Sequence, residues 1–89
     1  MEIEFDPAKS EHNRKRRGFS FEIVQDFDWT RALISEDRRF NYPERRFQAL
    51  GFVAEVLHMV VYANRENGIR VISVRRASRQ ERKRYAQTT

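Results

Sequence analysis

Val56 to Tyr62 reads VLHMVVY, a stretch apolar on both faces of an extended chain and interrupted only by His58. A strand of that kind needs a neighbour on each edge and a packed layer on each face, so it predicts the centre of a sheet. The flanking sequence supplies the neighbours. Asn67-Gly68 is a strong turn signal, and Ile69 to Arg75 follows it as a second strand. Simple alternation puts Ile69, Val71, Ser73 and Arg75 on one face and Arg70, Ile72 and Val74 on the other. Ser78 with Glu81 three residues on is a capping box that opens a basic helix, Arg79 to about Gln87. On the other side, Phe47 to Val53 alternates Phe47, Ala49, Gly51 and Val53 against Gln48, Leu50 and Phe52, with a tight turn near Ala54 and Glu55. Ala32 to Ser35 is a further short strand, joined to it by a charged connection, Glu36 to Arg45, that contains Pro43.

The first third of the chain has different punctuation. Met1 to Phe5 alternates as a short strand. Asp6 followed by Pro7 is an N-cap with proline at the first helical position, and the helix runs to about Arg17 before stopping at Gly18. Lys9, Asn13 and Arg16 fall on one face of it. Ser20 caps a second, short helix ending near Phe27, with Phe19 and Val24 spaced as a hydrophobic staple and Phe21, Ile23, Val24 and Phe27 as its buried side. The order is strand, two helices, an antiparallel meander of three to four strands, and a C-terminal helix. This is an α+β fold with helices against the sheet. At 89 residues the chain makes one domain, residues 1–89, with a single modest core.

Many activities are excluded. Cysteine is absent, so neither disulfides nor thiolate metal sites contribute. His12 and His58 are isolated, and no other ligand lies at zinc-like spacing. Three glycines, Gly18, Gly51 and Gly68, are too scattered for a phosphate-binding loop, a dinucleotide fingerprint or a serine-hydrolase elbow. No cofactor is expected. The N-terminus lacks the apolar stretch of a signal peptide and no run is long enough to span a bilayer, so the expectation is a soluble, cytoplasmic protein with no membrane role.

The net charge of +5 points instead to a polyanionic partner. Cations gather at Arg14 to Arg17, at Arg38, Arg39, Arg45 and Arg46, and from Arg70 to Arg84. Arginine strongly outnumbers lysine, which suits geometric recognition of phosphate or carboxylate. RNA cleavage makes modest demands on such a surface, because the substrate's own 2′-hydroxyl is the nucleophile. The protein must accept its proton and stabilise charge on the scissile phosphate. Asp37 to Arg46 offers carboxylates and guanidiniums together, either as a site or as an ordinary ion-paired loop. His58 is either a satisfied core histidine or a proton carrier.

These residues resemble the BrnT toxins. Phe5-Asp6, Lys9, Asn13, the basic pair before Gly18 and Phe19-Ser20-Phe21 match the start of that family. Asp37-Arg38-Arg39, Glu44-x-Arg46-Phe47, Ala49-x-Gly51 and Val60-Val61-Tyr62 match its middle. Arg70-Val71-Ile72-Ser73-x-Arg75-x-Ala77 and Glu81-Arg82-x-x-Tyr85 match its end. The chain departs from the family at Arg17, where a histidine is usual, at Pro43, where a glycine is common, and at the Ala54-Glu55 turn.

The resemblance implies a RelE-like fold and a metal-independent endoribonuclease that cleaves mRNA and inhibits translation. It also implies a BrnA-like antitoxin whose ribbon-helix-helix domain neutralises the toxin and binds operator DNA, which the toxin meets only through that complex. On this reading Arg75 and Arg46 contact the phosphate or transition state, with Arg39 nearby. Glu44 is the base, or alternatively the partner that orients Arg46. Lys9 and Asn13 position substrate, Ser73 hydrogen-bonds phosphate, and Tyr62 or His58 assists proton transfer. Tyr85 either stacks on a base or docks as a core aromatic. The alternative function is a non-catalytic basic module that binds RNA, DNA or the antitoxin.

Overall fold

The computed structural model describes residues 1–88. Its strands are β1 (Glu2–Glu4), β2 (Leu33–Asp37), β3 (Arg46–Val53), β4 (Val56–Arg65) and β5 (Gly68–Arg76), in one sheet of order β1-β5-β4-β3-β2. The strand apolar on both faces is indeed the middle of five. Leu57 and Met59 join a core cluster on one side of it, and Val60 and Tyr62 join a separate cluster on the other.

The sheet has five strands rather than three or four, and it is mixed rather than antiparallel. β1 pairs in parallel with β5, Glu2 opposite Gly68 and Glu4 opposite Arg70. Gly68 makes this possible, because a Cβ there would lie 1.8 Å from the Glu2 carbonyl oxygen. The turn itself falls one residue earlier, at Glu66-Asn67, and the Asn67 carbonyl accepts from the Glu2 amide at 3.0 Å.

A second departure reverses side-chain parity along β5. Val61 pairs with Ser73 while Tyr62 pairs with Val71, so Ile72 is an extra, bulged residue. Ile69, Val71 and Val74 therefore share one core cluster, and Ser73 and Arg75 turn to the opposite face.

Helix α1 (Pro7–Arg17) is bounded as the sequence predicts. Asp6 accepts from the Ala8 amide at 2.9 Å, and Gly18 closes the helix at φ 92°. It buries only Ser10 and Asn13, so polar bonds hold it in place. Ser10 Oγ accepts from the Phe21 amide at 2.9 Å and Asn13 Nδ2 donates to the Phe19 carbonyl at 3.0 Å. Arg17 Nη1 donates to both Asn13 Oδ1 and the Val74 carbonyl, which ties α1 to β5. Arg17 thus does structural work at the end of α1.

The second helix is 3-10 rather than α, Phe21–Asp26, followed by a 3-10 turn at Trp29–Arg31. Three of its residues, Phe21, Ile23 and Val24, are aromatic or β-branched and weak helix formers, and i to i+3 bonds suit so short a piece. Phe21, Val24 and Phe27 still pack as the core of the α1 side. On the opposite side α2 (Arg79–Thr88) lays Tyr85 against Leu50, Leu57, Met59 and Ala77. No helix among the described residues is long and apolar enough to cross a membrane.

Candidate active site

Helix α2 covers only one end of its side of the sheet. Cross-strand partners share a face, and Leu33 opposite Leu50 and Met59 opposite Arg75 identify the rest of that face. Asp37 opposite Arg46 and Gln48 opposite Val61 belong to it as well. Arg46 and Arg75 therefore project from the same side of the sheet, next to the loop 38–45 that joins β2 to β3.

Carboxylates grip two of the guanidiniums there. Arg75 donates Nη1 to Glu81 Oε1 at 2.8 Å and Nη2 to Oε2 at 2.9 Å. Arg39 donates Nε and Nη2 to the two oxygens of Asp37, each at 2.9 Å. Asp37 also accepts from the Arg39 amide at 3.2 Å and from the Tyr42 hydroxyl at 3.0 Å. Its carboxylate is fully inaccessible, whereas the Arg39 side chain is 62 % exposed. The Arg39 bonds hold the Asp37 carboxyl far below the usual carboxylate range against the opposing effect of burial. Arg39 stands close enough to Arg75 for its charge to disfavour the cationic form there, although the Glu81 bonds dominate and raise the Arg75 pKa.

Arg46 is held differently. Its guanidinium lies over the Tyr42 ring, 4.2 Å from the centroid, and its Nε is buried with no hydrogen-bond partner among the described residues. A buried, unpaired donor costs about 1–3 kcal/mol, so this guanidinium keeps hydrogen-bonding capacity that the described residues do not use. Three guanidiniums beside one bare sheet face, two fixed by carboxylates and one with an unused donor, suit a phosphodiester.

The family profile described as "Ribonuclease toxin, BrnT, of type II toxin-antitoxin system" matches residues 5–81. The chain belongs to the BrnT toxin family. No curated protein matches it. Membership makes it a ribonuclease toxin of a type II system, with RNA as substrate and an antitoxin as partner.

Of the residues that the sequence nominates in this BrnT toxin, Arg39, Arg46 and Arg75 lie on the same side of the sheet, Arg39 near enough to Arg75 for their charges to interact and Arg46 further along the face. Glu44 lies on the rim, but it does not pair with Arg46. It takes two bonds from Arg65, at 3.0 and 3.3 Å, and Arg65 also reaches Glu4 at 3.0 Å. Those Arg65 bonds, with the charges of Arg46 and Arg70, hold the Glu44 pKa below its ordinary value.

Tyr62 and His58 are on the wrong face. Tyr62 is 6 % exposed, stacks on Phe47 and meets Trp29 edge-on in the α1-side core, where burial raises its pKa. His58 is 5 % exposed, packs edge-on to Phe19 and lies 2.8 Å through Nδ1 from the Val56 carbonyl. Burial lowers its pKa. Both are core residues.

Lys9, Asn13 and Ser73 line a separate groove between α1 and β5, together with His12, Arg16 and Ile72. Within it the Asn13 amide is occupied by Phe19 and Arg17, and Arg17, which also lines the groove, stands near enough to Arg75 for the two charges to interact. Tyr85 docks in the core with its hydroxyl donating to the Arg31 carbonyl at 2.8 Å.

Three residues gain a role at the site that the sequence does not assign them: Asp37, Tyr42 and Glu81. Glu81 is visible as half of a capping box, and the box is present, its Oε1 accepting from the Ser78 amide at 2.8 Å. Its grip on Arg75 leaves no local signal. That grip, chiefly, drives the Glu81 pKa down from 4.5 to about 2. A depressed pKa means that the folded state binds fewer protons than the unfolded state, so the pair's stability is present above about pH 4.5 and is lost as pH falls towards about 2. Glu81→Gln is expected to lower stability at pH 7 and to flatten this part of the acid limb. Urea midpoints for both proteins at pH 7 and pH 3 test it. Equal falls in midpoint between the two pH values would remove Glu81 from the acid response.

Proposed function

We propose that the bare half of the α2-side face is the catalytic surface of a metal-independent endoribonuclease that cleaves mRNA and so inhibits translation in the cytoplasm. The observation that carries the proposal is that Arg46, with an unpartnered Nε, shares one open sheet face with two carboxylate-anchored arginines. In this reading the substrate's 2′-oxygen attacks the adjacent phosphorus in line. Its proton passes to Glu44, the rim carboxylate that feels both Arg46 and Arg70. The phosphorus–5′-oxygen bond breaks, leaving a 2′,3′-cyclic phosphate, and the departing 5′-oxygen takes a proton from solvent.

Negative charge on the phosphoryl oxygens develops against Arg46, Arg39 and Arg75, whose positions are set before substrate arrives. None of Asp37, Glu44 or Glu81 has a pKa raised towards neutrality, so charge stabilisation and in-line placement contribute more than a tuned base. Lys9 and Ser73, in the groove between α1 and β5, guide the chain of phosphates towards the site. An N-terminal strand and helix with a C-terminal helix over a meander is consistent with a RelE-like relationship. The partner in this reading is a BrnA-like antitoxin with a ribbon-helix-helix domain, which alone contacts operator DNA and covers the cationic face.

The test is incubation of purified, antitoxin-free protein with naked RNA in EDTA. The expected result is fragments ending in 2′,3′-cyclic phosphate, and their loss when antitoxin is added. Salt-sensitive RNA binding with no fragments would favour the non-catalytic module instead.

A further inference from the structure

Phe40 is 70 % exposed, although burial is where a phenylalanine gains most. Isolated surface hydrophobics are ordinary, but this one is not isolated. It stands in the loop 38–45, directly after Arg38 and Arg39, beside an open hollow of about 500 Å³ whose walls are Glu36 to Arg45. The loop is pinned at both ends. Glu36 accepts from Arg38 at 3.2 Å and from Arg45 at 2.9 Å, while Asp37 holds Arg39 and Tyr42. The Phe40 ring meets the Tyr42 ring edge-on at 5.9 Å, and the Arg46 guanidinium covers Tyr42 at 4.2 Å. An exposed aromatic surface thus leads, through one further ring, to the arginine whose Nε lacks an acceptor.

We propose that Phe40 is a stacking platform for an unpaired nucleobase of the RNA substrate, adjacent to the phosphate engaged by Arg46 and Arg39. The inference rests on the ribonuclease reading and adds a substrate class to it, single-stranded RNA. A base in a duplex has both faces covered by its neighbours, whereas an unpaired base can lie flat on an aromatic ring. The surrounding cations attract the backbone without reading sequence. The ring accepts any base, so the loop selects for strandedness.

The experiment is fluorescence anisotropy with a labelled single-stranded RNA oligonucleotide carrying 2′-O-methyl groups, which block the nucleophile. The Phe40→Ala protein should bind it roughly 5- to 150-fold more weakly than wild type, the range that one base–aromatic stack supports. Phe40→Leu should behave like Phe40→Ala, since it keeps an apolar group and loses the π face. Phe40→Trp should bind at least as tightly as wild type and lose indole fluorescence on binding, above the background of Trp29. Folding of each variant is checked by circular dichroism, and the exposure of Phe40 makes its loss structurally cheap.

Equal affinity of wild type and Phe40→Ala, with wild-type RNA cleavage intact, overturns this inference alone. An unchanged RNA affinity with weakened antitoxin binding makes the ring a protein contact and also overturns it. A wild type that neither binds the oligonucleotide nor cuts RNA overturns the ribonuclease reading, and this one falls with it.

Discussion

Arg46→Ala is expected to lower the RNA cleavage rate by about 10²- to 10³-fold, the effect of removing one preorganised donor from developing charge, while folded stability hardly changes. The second half of the expectation is what makes the variant informative. Most arginines near the site are structural as well. Removing Arg75 strands Glu81, and removing Arg39 strands the buried Asp37. Arg46 has no carboxylate partner among the described residues, and its Nε is already unsatisfied. Its removal deletes a stack on Tyr42 worth about 0.5–1 kcal/mol. It also removes an orphaned donor that costs about 1–3 kcal/mol, so no net loss of stability is expected. Arg46→Lys should rescue little, because an ammonium lacks the planar fork that reaches two phosphoryl oxygens. Cleavage rates measured beside urea midpoints decide the matter. An Arg46→Ala protein that cuts at the wild-type rate removes Arg46 from the reaction, and one that unfolds far more easily makes it a structural residue.

Local rules made much of the frame legible. The Asp6-Pro7 cap, the Gly18 stop and the Ser78–Glu81 box each depend on a few adjacent residues, and each is where the sequence places it. β4 is central because no other stretch is apolar on both faces. The misses depend on pairing between distant segments. A bulge at Ile72 exists only relative to Val61 and Tyr62 on the neighbouring strand, so the Ile69 to Arg75 alternation gave no sign that parity reverses midway. The parallel pairing of β1 needed a close approach at Gly68, which reads locally as a turn residue.

Parity also explains the errors at the site. His58, Val60 and Tyr62 occupy one face of β4, and Met59 and Val61 the other. Arg75 is opposite Met59, so neither Tyr62 nor His58 can join it. The arginines themselves were legible as clustered cations. Their partners were not: Asp37, Tyr42 and Glu81 lie within six residues of Arg39, Arg46 and Arg75, but the turns that bring them together follow no fixed helix or strand period.

Asp37 is the keystone of that geometry, and Asp37→Ala is expected to damage stability and activity together. One buried carboxylate accepts from the Arg39 amide, from two nitrogens of the Arg39 side chain and from the Tyr42 hydroxyl. Without it the Tyr42 hydroxyl loses its acceptor, while Arg39, largely exposed, can rehydrate. The destabilisation should therefore be about 1–3 kcal/mol, below the cost of stranding a fully buried charge. The functional loss should be larger, about 10²-fold, because displacement of reacting groups by an ångström is enough for that. Arg39 would lose its orientation, and Tyr42, on which both Arg46 and Phe40 rest, would lose its tether. Tyr42→Phe removes only the tether and keeps the ring, so it should cost about 1 kcal/mol and much less activity.

Linkage gives the pH dependence of the same residue. The folded state holds the Asp37 carboxyl far below its ordinary pKa, so its stabilisation is fully present above the unfolded carboxylate range and is lost progressively as pH falls below that range towards the much lower folded-state pKa. Between pH 5 and 8, therefore, Asp37→Ala should show a constant deficit against wild type. A deficit that grows or vanishes within that window, or a variant that cleaves RNA at the wild-type rate, would mean that the 38–45 loop is held in its working position by something other than Asp37.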